Sequence, residues 1–219
     1  MRKRFLALAG LAAGAGAAAM LYRNWRHIVR HPLKLSPATY AVGVERNIPI
    51  EVEHGLTLAA DHYYPKAKGR FPTILIRTPY GLSTDNSKVN TAITNFPVQR
   101  FVERGYHVVQ QSVRGRFGSE GHWMPFFSEE ADGRATIDWV AQQPWFNGSL
   151  GLFGSSYVGY TQWAIAADAP AYVKAMTPSI TTACQVGRLP ESGEAMNPLI
   201  RNQLWGWNPF NGHHLQTPA

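Results

Sequence analysis

Hydrophobic and polar positions in the body of the chain follow two periods, one typical of strands and one of helices. Residues 48–52 and 56–64 alternate apolar and polar side chains on either side of Gly55, which predicts a β-hairpin. Short apolar runs predict four further strands, at 73–76, 106–111, 149–154 and 173–177. Helices are predicted between them, at 97–104, 129–143 and 157–168.

Strands that alternate with helices over short linkers predict an α/β fold, with a mostly parallel sheet and helices on both faces. The pattern breaks after Pro178, because residues 179–219 are rich in proline and tryptophan and contain no clear strand. We interpret 179–219 as the start of a separate helical insert. The helix at 129–143 is expected to bury one side, formed by Ala131, Ala135, Ile137, Asp138, Val140 and Ala141.

The first 35 residues have the pattern of a targeting segment. A basic start at 1–4 precedes 18 uncharged residues, Phe5–Tyr22. An 18-residue helix is about 27 Å long, close to the thickness of a bilayer core, although alanine and glycine make this run only weakly apolar. The small residues at 17–19 fit a signal-peptidase site. A single-span hydrophobic helix, a cleaved signal peptide and a soluble helix are therefore all open, and we expect a membrane-anchored or exported protein with its α/β domain at 36–178.

Charge argues against a nucleic-acid-binding protein. The 21 basic and 14 acidic residues give a net charge of +7, but seven basic residues and no acidic one lie within positions 1–34. The rest of the chain is neutral, whereas nucleic-acid binding needs a basic folded face. The lone cysteine, Cys184, permits neither an internal disulfide nor a cysteine-based metal site. We expect no metal and no cofactor.

The candidate chemistry lies in one turn, between the strand at 149–154 and the helix at 157–168. A nucleophile elbow places a serine in a tight strand-to-helix turn between small residues. Ser156 fits because Gly154 lies two positions before it, while Ser155 fits less well because Phe153 holds that position. Val158 occupies the place of the usual second glycine, which comes instead at 159. A glycine-rich turn with an incidental serine is the alternative.

Five blocks in one order give a more specific indication. They are Arg77–Gly81, Arg114–Gly121, Glu130–Gly133 with Ile137–Trp139, Gln143–Gly148 and Gly154–Gly159. Together they resemble the CocE/NonD (cocaine-esterase-like) α/β-hydrolases, which are related to X-Pro dipeptidyl-peptidases, and the resemblance runs from about 48 to 178. It implies an incomplete α/β-hydrolase fold followed by the start of a helical cap at 179–219. One departure is Ser112, where the family usually has aspartate.

The resemblance also implies roles for three residues. Ser156 would be the nucleophile that becomes acylated, while the backbone N–H of Tyr157 and the phenol of Tyr80 would bind the oxyanion. The substrate would be a small ester or a peptide-like X-Pro compound. We favour an esterase or acylase, because the sequence shows no acidic cluster that would bind an amine.

The acid and histidine of this fold follow the serine in chain order, after later strands. This chain ends one predicted strand past the elbow helix, and no acidic residue follows His213 or His214, its histidines nearest the end. We therefore expect a serine hydrolase that is truncated and inactive alone. The alternatives are a membrane-anchored, non-catalytic binding module and the N-terminal half of a split hydrolase with a complementing C-terminal chain.

Overall fold

The computed structural model describes residues 34–82 and 97–181. The chain divides after Thr39, and the strands described below all belong to the second unit, Tyr40–Ala219. The predicted N-terminal hydrophobic helix and nearly all of the predicted helical insert lie outside the described residues. Among the residues that are described, no helix has both the length and the apolar character needed to cross a bilayer.

Six strands in the described part of the chain form one mixed sheet with the order β1-β2-β4-β3-β5-β6. The first pair, β1 and β2, is the predicted antiparallel hairpin around Gly55, and β2 also runs antiparallel to β4. The strands β4, β3, β5 and β6 are parallel. The bounds are β1 Val42–Glu53, β2 Leu56–Pro65, β3 Phe71–Thr78, β4 His107–Ser112, β5 Phe146–Ser155 and β6 Val173–Ser179.

Helices cover both faces of this sheet, as predicted. Helix α1 spans Glu129–Ala141 and α2 spans Tyr157–Trp163, while residues 97–102 are also helical. Alternate residues of β3 point to opposite faces: Leu75 packs in one cluster with Ile137 of α1, and Ile76 packs in another with Val102. The predicted α/β class is therefore confirmed, with a mixed sheet.

Helix α2 is shorter than predicted, since it ends at Trp163 and not at 168. The amides that follow donate to carbonyls three residues back, from Ile165 to Gln162 at 3.3 Å and from Ala166 to Trp163 at 3.1 Å. Such bonds tighten the end of a helix into a 3₁₀-like turn. The amino-acid composition of 164–168 does not predict this change.

The buried side of α1 differs from the predicted one. Ala131 and Asp138 are exposed, whereas the polar residues Glu129, Asp132 and Thr136 are buried together with Ile137 and Val140. The cause is Arg77 of β3, which is only 2% exposed and lies beneath the helix. A buried guanidinium requires polar partners, so the start of α1 presents carboxylates to the sheet and not alanine.

A buried pair of histidines lies where β2 and β4 meet near the start of β4. His62 Nε2 lies 2.8 Å from His107 Nδ1, and His62 Nδ1 lies 3.1 Å from the Glu45 carboxylate. Both rings stack on Trp145, at centroid distances of 4.4 and 4.5 Å. Burial, reinforced by repulsion from His62, lowers the pKa of His107 to about 4. Burial also lowers the pKa of His62, although its contact with Glu45 opposes the shift.

The histidine pair predicts that stability falls in mild acid. Between pH 6.5 and about 4 the unfolded chain binds protons that folded His107 does not, so stability is full above pH 6.5 and declines as the pH falls. A lowering of this size corresponds to a loss of about 2 kcal/mol between pH 7.5 and 5. Urea unfolding at both pH values measures it.

The substitution His107→Gln should reduce this pH dependence, because glutamine retains a hydrogen-bonding side chain and does not titrate, while the lowered pKa of His62 leaves a remainder. The matched control is His122→Gln, since His122 lies exposed in a loop and its removal should leave the dependence intact. Equal unfolding midpoints of the wild type at pH 7.5 and 5 would contradict the prediction.

Candidate active site

Tyr80 and Ser156 meet because they follow two neighbouring parallel strands. β3 and β5 pair directly, and parallel neighbours end at the same edge of a sheet. Tyr80 follows the end of β3 and Ser156 follows the end of β5. The Tyr80 hydroxyl lies 3.3 Å from Ser156 Oγ. The structure thus brings together the two side chains that the sequence predicted for one site.

Ser156 occupies a sharp corner between β5 and α2. Its φ is 57° and its ψ is −127°, a combination that non-glycine residues rarely adopt and that costs of the order of 1–3 kcal/mol. Its N–H donates to Ser179 of β6 at 2.9 Å, and its carbonyl accepts from the amides of Gly159 and Tyr160. The side chain is exposed. Ser155, by contrast, lies in the regular strand and pairs with Ser179.

Two glycines allow the chain to turn closely at this corner. Gly154 has a φ of 147°, and a Cβ there would lie 2.2 Å from Val158 Cγ1. A Cβ at Gly159 would lie 2.6 Å from Thr181 Cγ2 and 3.2 Å from the Ser179 carbonyl oxygen. The second glycine therefore stands at 159 because that position faces the end of β6, while Val158 packs over Gly154.

Gln162 fixes the corner to both flanking strands, a role that the sequence did not indicate. Its Nε2 donates to the Gly154 carbonyl at 3.2 Å, and its Oε1 accepts from the Thr177 amide at 2.9 Å. The residue is buried, with 3% exposure. A glutamine in a helix of small residues carries no local signal of this bridge, which depends on the distant strand β6.

The backbone N–H and the side chain of Tyr157 lie in different surroundings. As the first residue of α2, it has no carbonyl within the helix to which its N–H can donate. Its phenol is buried, donates to Glu129 at 2.7 Å and accepts from the Phe126 amide at 2.9 Å. Burial raises the pKa of Tyr157, and the Glu129 charge raises it further, so the phenol stays protonated.

The carboxylate of Glu129 is held by Arg77. Arg77 Nη1 lies 3.0 Å from Glu129 Oε2 and donates to the Glu129 carbonyl at 2.8 Å. Burial raises the pKa of Glu129, and the charge of Arg77 opposes the shift. The nearby Asp132 makes two hydrogen bonds with Arg114, which also contacts Glu53 at 2.9 Å. The site thus rests on buried charges that the sequence analysis did not anticipate.

The glycine-rich loop lies against the turn that carries Tyr80. Arg116 donates to the Pro79 carbonyl at 3.3 Å, one residue before Tyr80. Ser119 donates to the carbonyl of Ser112 at 2.8 Å, while Glu120 accepts from the Thr57 amide at 2.7 Å. Backbone and short polar contacts therefore anchor this loop, one of them to Ser112 at the end of β4.

The base that would accept a proton from Ser156 is not found in the described ranges. Within 34–82 and 97–181, the side chain hydrogen-bonded to Ser156 Oγ is that of Tyr80, and no histidine bonds to it. His213 and His214 lie outside the described residues. Within the same ranges, no three or more histidine, cysteine or acidic residues are grouped so as to hold a metal.

Comparison with known proteins places this geometry in a family. The profile of X-Pro dipeptidyl-peptidase (S15 family) matches residues 54–191. Cocaine esterase of Rhodococcus sp. (strain MB1 Bresler) is 38% identical over 174 residues, which are 80% of this chain and 29% of that protein. The chain thus spans less than a third of that relative's length.

Solved structures agree with the match. The crystal structure of a CocE/NonD family hydrolase from Staphylococcus aureus has a TM-score of 0.52 at 26% identity, and the match covers 61% of this chain and 26% of that one. An α-amino acid ester hydrolase has a TM-score of 0.52 at 25% identity. That match covers 67% of this chain and 26% of the hydrolase. The resemblance to CocE/NonD hydrolases predicted from the sequence is confirmed, and the chain belongs to the X-Pro dipeptidyl-peptidase (S15) family.

Proposed function

We propose that this protein hydrolyses carboxylic esters through an acyl-enzyme formed on Ser156. The observation that carries the proposal is the 3.3 Å separation of the Tyr80 hydroxyl from Ser156 Oγ, at a strained and exposed strand-to-helix corner. Strain at one exposed residue is typical of a functional position. A serine held in this way presents its oxygen above the sheet edge, where a substrate carbonyl can approach.

The chemistry takes place in two stages. Ser156 Oγ bonds to the ester carbonyl carbon while a base takes the hydroxyl proton, and the carbonyl oxygen becomes an oxyanion. The C–O bond to the alcohol then breaks, and the alcohol leaves with the proton that the base held. Water repeats the sequence on the acyl-enzyme, which releases the acid and restores the serine.

Two donors stabilise the oxyanion in this proposal. One is the Tyr80 phenol, and the other is the backbone N–H of Tyr157 at the start of α2. Both are held before substrate arrives, the first by the turn after β3 and the second by the helix end. Donors that are fixed in advance stabilise developing charge strongly, and removing one typically reduces turnover by about 10²–10³.

The base and the acid that orients it belong, in this proposal, to polypeptide outside the described residues. A serine hydroxyl is a weak nucleophile without a base, and in this fold the acid and histidine follow the serine along the chain. The described residues then supply the nucleophile and the oxyanion site but are inactive without that base.

An ester is the favoured substrate class because of the relatives that the chain resembles. One is a cocaine esterase, and another is an α-amino acid ester hydrolase. The family profile, that of an X-Pro dipeptidyl-peptidase, makes a peptide the competing substrate. Comparing a nitrophenyl ester with an X-Pro nitroanilide distinguishes the two.

Labelling with a fluorophosphonate tests the nucleophile. The protein is treated with the probe both as the 219-residue chain and in an extract of its source cells, and the label is mapped by mass spectrometry. We expect label on Ser156 wherever the base is present, and we expect Ser156→Ala to abolish both the label and ester hydrolysis. Ser155→Ala is the matched control, and it should retain both because Ser155 lies in the regular strand.

Labelling in the extract alone would place the base outside the 219 residues, and labelling in both samples would place it within them. Label on another residue, or none in either sample under conditions that label a known serine esterase, would overturn the proposal. Hydrolysis of the ester by Ser156→Ala at the wild-type rate would do the same.

Removing the Tyr80 hydroxyl tests the oxyanion site. Tyr80→Phe keeps the ring and removes one donor, so we expect kcat to fall by about 10²–10³ while KM changes little. Steady-state ester hydrolysis measures both constants. Tyr172→Phe is the control, because the Tyr172 hydroxyl bonds to Asp138 of α1 and should not affect kcat. An unchanged kcat for Tyr80→Phe would exclude the phenol from the oxyanion site.

A further inference from the structure

The residue that follows the nucleophile is fixed through its side chain as well as through its helix. The Tyr157 phenol makes two buried hydrogen bonds, as donor to Glu129 at 2.7 Å and as acceptor from the Phe126 amide at 2.9 Å. The side chain is 3% exposed. Its hydroxyl therefore has a fixed donor direction and a fixed acceptor direction, and it cannot turn without breaking a bond in a site that water does not reach.

The ring is held as firmly as the hydroxyl. It stacks on Phe126 with a centroid distance of 4.7 Å and an interplanar angle of 24°, and it packs against Trp123 at 5.4 Å. Movement of the Tyr157 backbone would have to displace this aromatic group as well. The ring and the N–H proposed to bind the oxyanion belong to the same residue, so constraint on one constrains the other.

Glu129 connects this residue to β3, the strand that Tyr80 follows. Its second carboxylate oxygen lies 3.0 Å from Arg77 Nη1, and Arg77 lies in β3 three residues before Tyr80. Arg77 Nε in turn donates to Gln111 of β4 at 2.8 Å. One chain of buried contacts thus joins both proposed oxyanion donors to the same pair of strands.

We propose that the Tyr157 phenol and the Glu129 carboxylate are positioning residues, which hold the Tyr157 backbone N–H in the direction of the oxyanion. This inference rests on the proposed function. Neither group needs to touch substrate. Their effect should appear only when negative charge develops on the carbonyl oxygen, because that is when a misdirected N–H weakens binding.

The substitution Tyr157→Phe tests the inference with the smallest change. It keeps the ring and removes both hydrogen bonds, so we expect kcat to fall roughly 10-fold to 100-fold with KM within about twofold. Affinity for a trifluoromethyl ketone, whose adduct with serine carries an oxyanion, should fall in parallel with kcat/KM. The assays use the form of the protein that the fluorophosphonate labels.

The matched control is Tyr160→Phe. Tyr160 lies in the same helix and packs on the same Phe126 ring, and its hydroxyl donates to the Phe126 carbonyl at 3.4 Å and not to Glu129. Its loss should leave kcat and inhibitor affinity within about twofold of the wild type. A general loosening of this aromatic cluster would reduce activity in both variants.

Glu129 provides a second pair of variants. Glu129→Gln keeps an oxygen that can accept from Tyr157, so its kcat should exceed that of Glu129→Leu, which has no acceptor. The order parameter of the residue 157 amide, from 15N NMR relaxation, reports the same constraint without catalysis. It should fall in Tyr157→Phe and stay unchanged in Tyr160→Phe.

Two results would overturn the inference. One is labelling of Ser156 in Tyr157→Phe at the wild-type rate with unchanged inhibitor affinity, which would leave the proposed function standing without the positioning role. The other is an order parameter of the residue 157 amide that does not respond to loss of the phenol. Failure to label Ser156 in the wild type would instead remove the proposed function, and the inference with it.

Discussion

The backbone conformation of Ser156 is the constraint on which the site depends. A φ of 57° with a ψ of −127° costs of the order of 1–3 kcal/mol, so the surrounding structure must favour it by more than that. The contribution comes from three sets of hydrogen bonds. The end of β6 accepts the Ser156 N–H, α2 begins on the Ser156 carbonyl, and Gln162 bonds to Gly154 and Thr177. Each such bond contributes about 1 kcal/mol, so several together hold the corner.

A buried arginine, Arg77, fixes the position of α1 relative to the sheet. Arg77 is 2% exposed, and its partner Glu129 is 1% exposed. A charge buried in this way is very costly unless it is paired and hydrogen-bonded, so the start of α1 must lie over β3. This requirement brings Glu129 to Tyr157. The same contact that neutralises the arginine therefore sets the position of the first residue of α2.

The features that the sequence predicted are those encoded locally. Alternating residues around Gly55 gave the hairpin, and Gly154 two positions before Ser156 gave the corner. The prediction that Tyr80 and Ser156 share one site came from a family resemblance. Its physical basis is that neighbouring parallel strands end on the same side of the sheet. The polar side of α1 and the bridge by Gln162 were missed because each depends on a partner distant in sequence. Arg77 lies 52 residues before Glu129. Gln162 bonds to both β5 and β6, and its own helix lies between these two strands in the chain.

The location of the histidine pair bears on where a base can come from. Register aligns His107 of β4 with Thr73 of β3, and Thr73 with Leu150 of β5. Ser156 lies six positions after Leu150, which corresponds to roughly 20 Å along a strand. His62 and His107 also contact each other and stack on Trp145, and His107 begins β4, whereas Tyr80 follows the carboxyl end of β3. A proton acceptor for Ser156 must instead approach from the exposed side of the corner, outside the carboxyl ends of the parallel strands, where open α/β sheets bind their ligands.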